Sequence, residues 1–272
     1  MIVRILLCLS LLLSAIPAGA KVDWTDLWWN PSESGWGVNL VQSDAFMFAT
    51  FFVYGPSGQP TWYTAQMTWD QPQLAFVGPL YTTTGTGVTF PWVPGNFSAR
   101  SVGNATFRPT QGGISVSYRG TLTYKFDDTG LTFTKSIERQ TLTSIDLAGS
   151  GIFTGGQYGE YYDCTASTDN NTYTDAFDLE VTQTGRNLHM EFTYSSGFSC
   201  TLSGALEQYG SLHRINGAAY RCSDGLNTTA TVYDLKSGSL GIEGRLYAPT
   251  VSPGCREAAK FSAVYATGQA AQ

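Results

Sequence analysis

Polar and apolar residues alternate along much of the chain, the two-residue period of a strand with one face buried. Ile114, Val116 and Tyr118 alternate with Ser115, Ser117 and Arg119. Leu122, Tyr124 and Phe126 alternate with Thr121, Thr123 and Lys125, and Asp127-Asp128-Thr129-Gly130 turns the chain back into Leu131-Thr132-Phe133-Thr134. This is a hairpin pattern, with Gly130 free to take a positive φ. Phe46 to Tyr54 is instead an unbroken apolar run, which predicts a strand covered on both faces. Tyr54-Gly55-Pro56-Ser57-Gly58-Gln59-Pro60 supplies the turn after it. Phe177, Leu179 and Val181 alternate with Asp178, Glu180 and Thr182, and Leu188, Met190 and Phe192 with His189, Glu191 and Thr193. Leu240, Ile242 and Leu246 share one face opposite Glu243 and Arg245, and Phe261, Ala263 and Tyr265 close the pattern. Beyond the first twenty residues no stretch of ten or more has a helical period. The expected fold is all-β: two consecutive antiparallel domains, each a meandering barrel or a sandwich.

The first twenty residues are different. Arg4 precedes the apolar run Ile5 to Ile16, and Ala18-Gly19-Ala20 follows it. This is the order of a secretory signal peptide, and the run is too short to span a bilayer. Cleavage is expected after Ala20, with a periplasmic or secreted product. Cys8 lies inside the run and lacks the small residues of a lipoprotein site before it. No later stretch is long and apolar enough for a transmembrane helix.

Composition agrees with strands. Charged residues make up 13% and aromatics 14%, a balance that favours β structure. The net charge is −6, and −7 once Arg4 is removed, which leaves no basic footprint for nucleic acid. All seven Trp lie before residue 100 and the four remaining Cys lie after residue 160. The expected division is a signal over 1–20, a tryptophan-rich domain over 21–145, a Gly-rich linker over 146–157, a disulfide-bearing domain over 158–267 and a tail over 268–272.

Four Cys in an exported chain imply two disulfides. Cys200 and Cys222 flank a hairpin centred near Ser211, and Cys164 and Cys255 lie near the first and last strands of their domain. The expected pairs are Cys200–Cys222 and Cys164–Cys255. With no C-x-x-C and no Cys/His cluster, no metal site and no cofactor is expected.

The densest segment runs from Asp26 to Leu40 and holds Trp28, Trp29, Asn30, Glu33 and Trp36. Indole faces stack on sugars and other flat ligands, so these five residues are the candidate ligand-binding set. The competing reading is a core residue with a loop that plugs a barrel end. Trp28-Trp29-Asn30-Pro31, Glu33-Ser34-Gly35-Trp36-Gly37, Phe48 to Tyr54, Gly58 to Trp62, Val102 to Phe107 and Ser136 to Gln140 resemble an uncharacterised family of exported proteobacterial proteins. Tyr220 to Gly225 and Gly254-Cys255-Arg256 resemble the Cys-containing domain that follows in that family. The resemblance implies export and the domain split, and it carries no activity. A looser likeness is to calycin-type barrels, in which a Gly-x-Trp near the first strand meets a basic residue on the last. Here Gly35-Trp36 lacks the intervening residue, and Arg139 would be the basic partner.

Other chemistry is sparse. Asp169, Asn171, Tyr173 and Asp175, with Glu180 beyond, echo a calcium loop without its central Gly, and a polar turn accounts for them better. His189 and His213 stand apart from any nucleophile motif. Catalytic residues are not expected. The leading function is an exported non-enzymatic binding or surface-interaction protein, its partner a small molecule, a glycan or an envelope protein. One alternative is a polymer hydrolase using paired carboxylates among Glu33, Asp44 and Glu160. The other is a structural module that makes protein contacts through strand edges.

Overall fold

The computed structural model describes residues 22–110, 118–144, 146–147, 152–238, 240–251 and 254–266. The expected signal peptide, the alternation at Ile114 and Val116 and the tail lie outside them. Eight strands form the first barrel: β1 Asp26–Trp29, β2 Gly37–Ser43, β3 Phe46–Tyr54, β4 Pro60–Asp70, β5 Ala75–Thr84, β6 Ser98–Pro109, β7 Arg119–Phe126 and β8 Thr132–Arg139. Eight more form the second: β9 Ile152–Tyr162, β10 Asn171–Thr184, β11 Asn187–Tyr194, β12 Ser199–Tyr209, β13 Leu212–Cys222, β14 Asn227–Gly238, β15 Gly241–Val251 and β16 Cys255–Tyr265. Each strand pairs antiparallel with the next, and each barrel closes first to last. Trp28 opposite Arg139 and Trp29 opposite Glu138 close the first. A ten-residue ladder between β9 and β16 closes the second. Closure removes the free sheet edges that would otherwise invite pairing with other chains. Among the described residues there is no α-helix and nothing long and apolar enough to cross a membrane as a helix.

The alternating residues fill the barrels. Val38, Met47, Met67, Phe107 and Leu122 are buried in the first, and Phe177, Leu179, Met190, Val232 and Phe261 in the second. Two expectations change. Strand β3 has the expected limits but is not covered on both faces, because Phe46, Phe52 and Tyr54 stay exposed on the outside of a barrel that has no second layer. Leu240 does not share the buried face of Ile242 and Leu246. It sits in the β14–β15 turn and is 80% exposed. The described part of the expected linker from Ile152 onward is strand. β9 starts at Ile152, and Gly155 pairs within the sheet. A Cβ on Gly155 would run into the backbone of Ser262 and Ala263, so this glycine serves close strand packing rather than chain freedom.

The two barrels meet through specific polar contacts. Asp26 Oδ2 accepts from Arg139 Nη1 at 3.0 Å and from the Ser211 amide and hydroxyl at 2.9 Å each. Ser211 belongs to the β12–β13 turn, where Gly210 takes φ +60° and a Cβ would collide with Asp26 and Arg139. Tyr118 stacks on Tyr209 with ring centroids 4.5 Å apart, and Arg214 lies over both rings. The Tyr118 hydroxyl donates to the His213 carbonyl and accepts from the Asp234 amide. Leu147, on the connecting segment, donates its amide to Gln183 and packs into the second core.

His213 is 2% exposed, and among the described residues neither ring nitrogen has a well-aligned partner. Burial pushes its imidazole down, against a smaller opposite effect of the Leu235 backbone. A base with a depressed folded value stabilises the fold fully above its unfolded value, near 6.5, and less as pH falls through the folded value. Urea unfolding should therefore show stability declining from pH 7 to pH 5, by about 1.4 kcal/mol for each unit of depression. In His213→Gln the decline should flatten. An unchanged slope in that variant would assign the pH dependence elsewhere.

Candidate functional site

The five residues of the tryptophan-rich segment do not converge on one space. Alternation along β1 turns Trp28 inward and Trp29 outward. Trp28 is wholly buried, its indole N–H donating to the Trp24 carbonyl at 3.0 Å and its ring meeting Phe107 edge-on at 5.1 Å. The Arg139 guanidinium lies 5.1 Å from the Trp28 ring centroid. The Trp–basic contact expected for Trp36 with Arg139 is thus made by Trp28. Trp36 has a different cation: Lys135, two places earlier than Ile137 on β8, 5.9 Å from its ring.

The loop between β1 and β2 is organised around Glu33. Its amide donates to the Asn30 carbonyl, and Asn30 Nδ2 donates to Glu33 Oε1 at 3.2 Å. Glu33 Oε2 accepts from Lys135 Nζ at 2.7 Å and from Trp36 Nε1 at 3.2 Å. The bond from Lys135 holds this carboxyl below the ordinary carboxylate range. Asn30, Glu33, Trp36 and Lys135 form a tied loop over the barrel end. Glu33 and Asp44 lie beyond opposite ends of β2, a strand of seven residues and roughly 20 Å at about 3.3 Å per residue. Glycosidase carboxylates stand within roughly 10 Å of each other. Glu160 belongs to the other barrel, on β9. Glu33 and Asp44 therefore do not stand as a catalytic pair.

A different site lies inside the second barrel. Alternate residues of β16 point inward, Cys255, Glu257, Ala259, Phe261 and Ala263, and one of them is a carboxyl. Glu257 is 2% exposed. Tyr173 on β10 donates its phenol to Glu257 Oε1, and the Tyr220 phenol on β13 also favours the charge of the carboxyl. Gln157 on β9 donates to the Tyr173 hydroxyl at 3.4 Å and accepts from the Tyr194 hydroxyl at 3.0 Å. Tyr161 stacks on Tyr173 at 5.0 Å. Gly159 makes that ring position possible, since a Cβ there would overlap the Tyr173 ring. These groups line a cavity of about 70 Å³ open to the centres of water molecules, with Asp175, Phe198 and Asp224 also on its wall. That is room for several waters or a small head group.

Burial pushes the Glu257 carboxyl up, against the Tyr173 and Tyr220 phenols, which favour its charge. Burial and the charges of Glu257, Asp175 and Asp224 push the Tyr161 phenol up to about 12. Tyr173, Tyr194 and Tyr220 are raised as well, burial first. The disulfides bracket this end of the barrel. Cys200 and Cys222 face each other across β12 and β13, while Cys164–Cys255 ties the segment after β9 to the start of β16. Both pairs are those expected from the cysteine positions. The calcium-like segment takes another form here: Asn171 to Asp175 are strand residues, and Tyr173 turns inward to Glu257. No group of His, Cys, Asp and Glu suited to a metal occurs among the described residues.

Neither a protein-family model nor a curated protein matches this chain. The sequence did contain a signal for the lumen. Glu257 is in phase with Cys255, Ala259 and Phe261, and Tyr173 and Asp175 are in phase with Phe177, Leu179 and Val181.

Proposed function

We propose that the chain is an exported, non-enzymatic binding protein whose ligand enters the lumen of the second barrel. One observation carries this reading: a cavity walled by phenols around a buried carboxyl, in a barrel whose core is mainly apolar side chains. Burying polar groups is unfavourable unless each is paired, and an apolar filling would serve packing alone. Small-molecule sites have this composition, concave and aromatic with a few fixed polar groups. Export is supported by the Arg4 to Ala20 pattern, by two disulfides and by the resemblance of the Trp28 to Trp36 segment to exported proteins. The hydrolase alternative is weakened at Glu33, which is bound to Lys135 and stands far from Asp44.

Ligand-observed NMR against amines, neutral polyols and carboxylates tests the reading. At least one class is expected to bind, and Asp175→Trp, placed to obstruct the mouth, is expected to abolish it. Binding by no class, or binding unaffected by Asp175→Trp, overturns it.

A second reading, as a surface-contact protein, is favoured by the connection between β5 and β6. No charged residue occurs from Gln71 to Ala99. Val88, Phe90, Trp92, Val93 and Phe97 are exposed on this loop, Trp92 by 63%. Thr86 Oγ1 holds its base, accepting from the Val93 amide and Asn96 Nδ2. Scattered exposed apolar residues are ordinary, but five on one uncharged loop mark a contact surface. Replacing Phe90 and Trp92 by Ser should abolish retention on envelope extract and leave lumen binding intact. Equal retention would dismiss the reading.

A further inference from the structure

The walls of the lumen also indicate the charge of its occupant. Among the described residues lining it are three carboxyls, Glu257, Asp175 and Asp224, and no Lys, Arg or His. The stacked rings of Tyr161 and Tyr173 form one side, and Tyr194 packed against Phe198 at 5.6 Å lies on another. Aromatic faces attract cations through the ring quadrupole, most strongly where water is excluded. Two of the phenol hydrogens are committed: Tyr173 donates to Glu257, and Tyr194 to Gln157. Carboxyl, amide and phenol oxygens around the cavity keep acceptor capacity. A ligand with several donors and a positive charge satisfies it, and an ammonium has three donors and no acceptor.

We infer that the lumen of the second barrel takes the head group of a small primary amine, its ammonium held by Glu257 between the tyrosine rings, with Asp175 and Asp224 at the entrance. This rests on the proposed binding function of the same lumen. An anion would face three carboxyls, and a neutral polyol would gain nothing from the rings' attraction for positive charge. The volume limits the enclosed part to a few heavy atoms, so a longer substituent projects past the rim.

Binding also moves a proton. Burial favours the protonated form of Glu257 in the unliganded lumen, with the Tyr173 and Tyr220 phenols opposing it and Asp175 and Asp224 also on the cavity wall. A bound ammonium favours the carboxylate. The proton leaves Glu257 for solvent when the pH lies between the carboxyl's values in the filled and empty lumen.

The test is isothermal titration of the disulfide-intact full chain with methylammonium and ethylammonium, beside ethanol and acetate as neutral and anionic counterparts. Each titration is run in two buffers of different ionisation heat, from pH 5 to pH 8. Saturable binding of the amines alone is expected, with proton release over part of that range. Glu257→Gln keeps a side chain of the same shape and should weaken amine binding at least tenfold and abolish the proton release. Asp175→Asn, an exposed change that leaves the interior intact, should weaken it several-fold. Amine binding unchanged in both variants overturns the inference. Binding of ethanol or acetate in preference to the amines overturns it while leaving a binding lumen. Failure of every probe, these and the wider NMR set, removes the lumen as a binding site and the inference with it.

Discussion

Replacing Arg139 by Met is expected to destabilise the first barrel by about 3–5 kcal/mol, the usual consequence of removing one partner from a buried ion pair. The Arg139 side chain is 1% exposed. Its Nη1 donates to Asp26 Oδ2 and to the Thr25 carbonyl, its Nη2 to the Asp23 carbonyl, and its plane covers Trp28. Burial lowers the affinity of the guanidinium for its proton, and Asp26, Asp23 and Asp234 act in the opposite direction. Met replaces the apolar stem but none of the donors. Asp26 is then left with the Leu27 amide and, across the barrel contact, the amide and hydroxyl of Ser211. Asp26→Asn with Arg139→Met should therefore cost much less than the sum of the single changes. All seven Trp precede residue 100, so urea unfolding followed by indole emission reports the first barrel directly. Because Ser211 shares Asp26, the second barrel should shift in the same direction by less. A loss below about 1 kcal/mol would show that the pair contributes no more than an exposed one.

The strands were legible because a closed barrel with a packed interior enforces the two-residue alternation on every strand. Phe177, Leu179 and Val181, or Leu188, Met190 and Phe192, leave no other assignment, and the turn glycines mark where one strand gives way to the next. The cysteine pairs were legible for a related reason, since Cys200 and Cys222 are equidistant from a hairpin turn and fall opposite each other in register. Which tryptophan meets Arg139 was not legible. The β1–β8 register follows from closure between the first and last strands, a contact that no local pattern encodes, and it selects Trp28. The site was half legible. Glu257, Tyr173 and Tyr220 each stand on an inward face, but they lie on β16, β10 and β13, and only closure brings them to one point. Tryptophan density was the louder signal, yet Trp28 is core and Trp36 is bound to Glu33. An exposed outer face on β3 went unread because an apolar run looks the same whether a second layer covers it or water does.

Removing the Cys164–Cys255 bond is expected to have the largest effect on the second barrel. It closes a loop of 91 residues, and limiting the freedom of the unfolded chain over that span contributes about 4.6 kcal/mol in the loop-entropy picture. Cys200–Cys222 spans 22 residues and contributes about 3.4 kcal/mol by the same reasoning. The shorter loop lies within the longer one, so the two losses should not add. Position reinforces the difference. Cys200–Cys222 joins strands already connected by their own turn, whereas Cys164–Cys255 ties the seam where the last strand returns to the first. Glu257 is two residues from Cys255, so loosening that seam opens the lumen at its carboxyl. Cys164→Ser with Cys255→Ser should thus lower both the urea midpoint of the second barrel and its ligand affinity. Cys200→Ser with Cys222→Ser should lower the midpoint less, and the Trp-reported transition of the first barrel should hardly move in either variant. If the short-loop variant proves the less stable of the two, strain or residual structure outweighs loop entropy here, and the seam is held by its ten-residue ladder rather than by the disulfide.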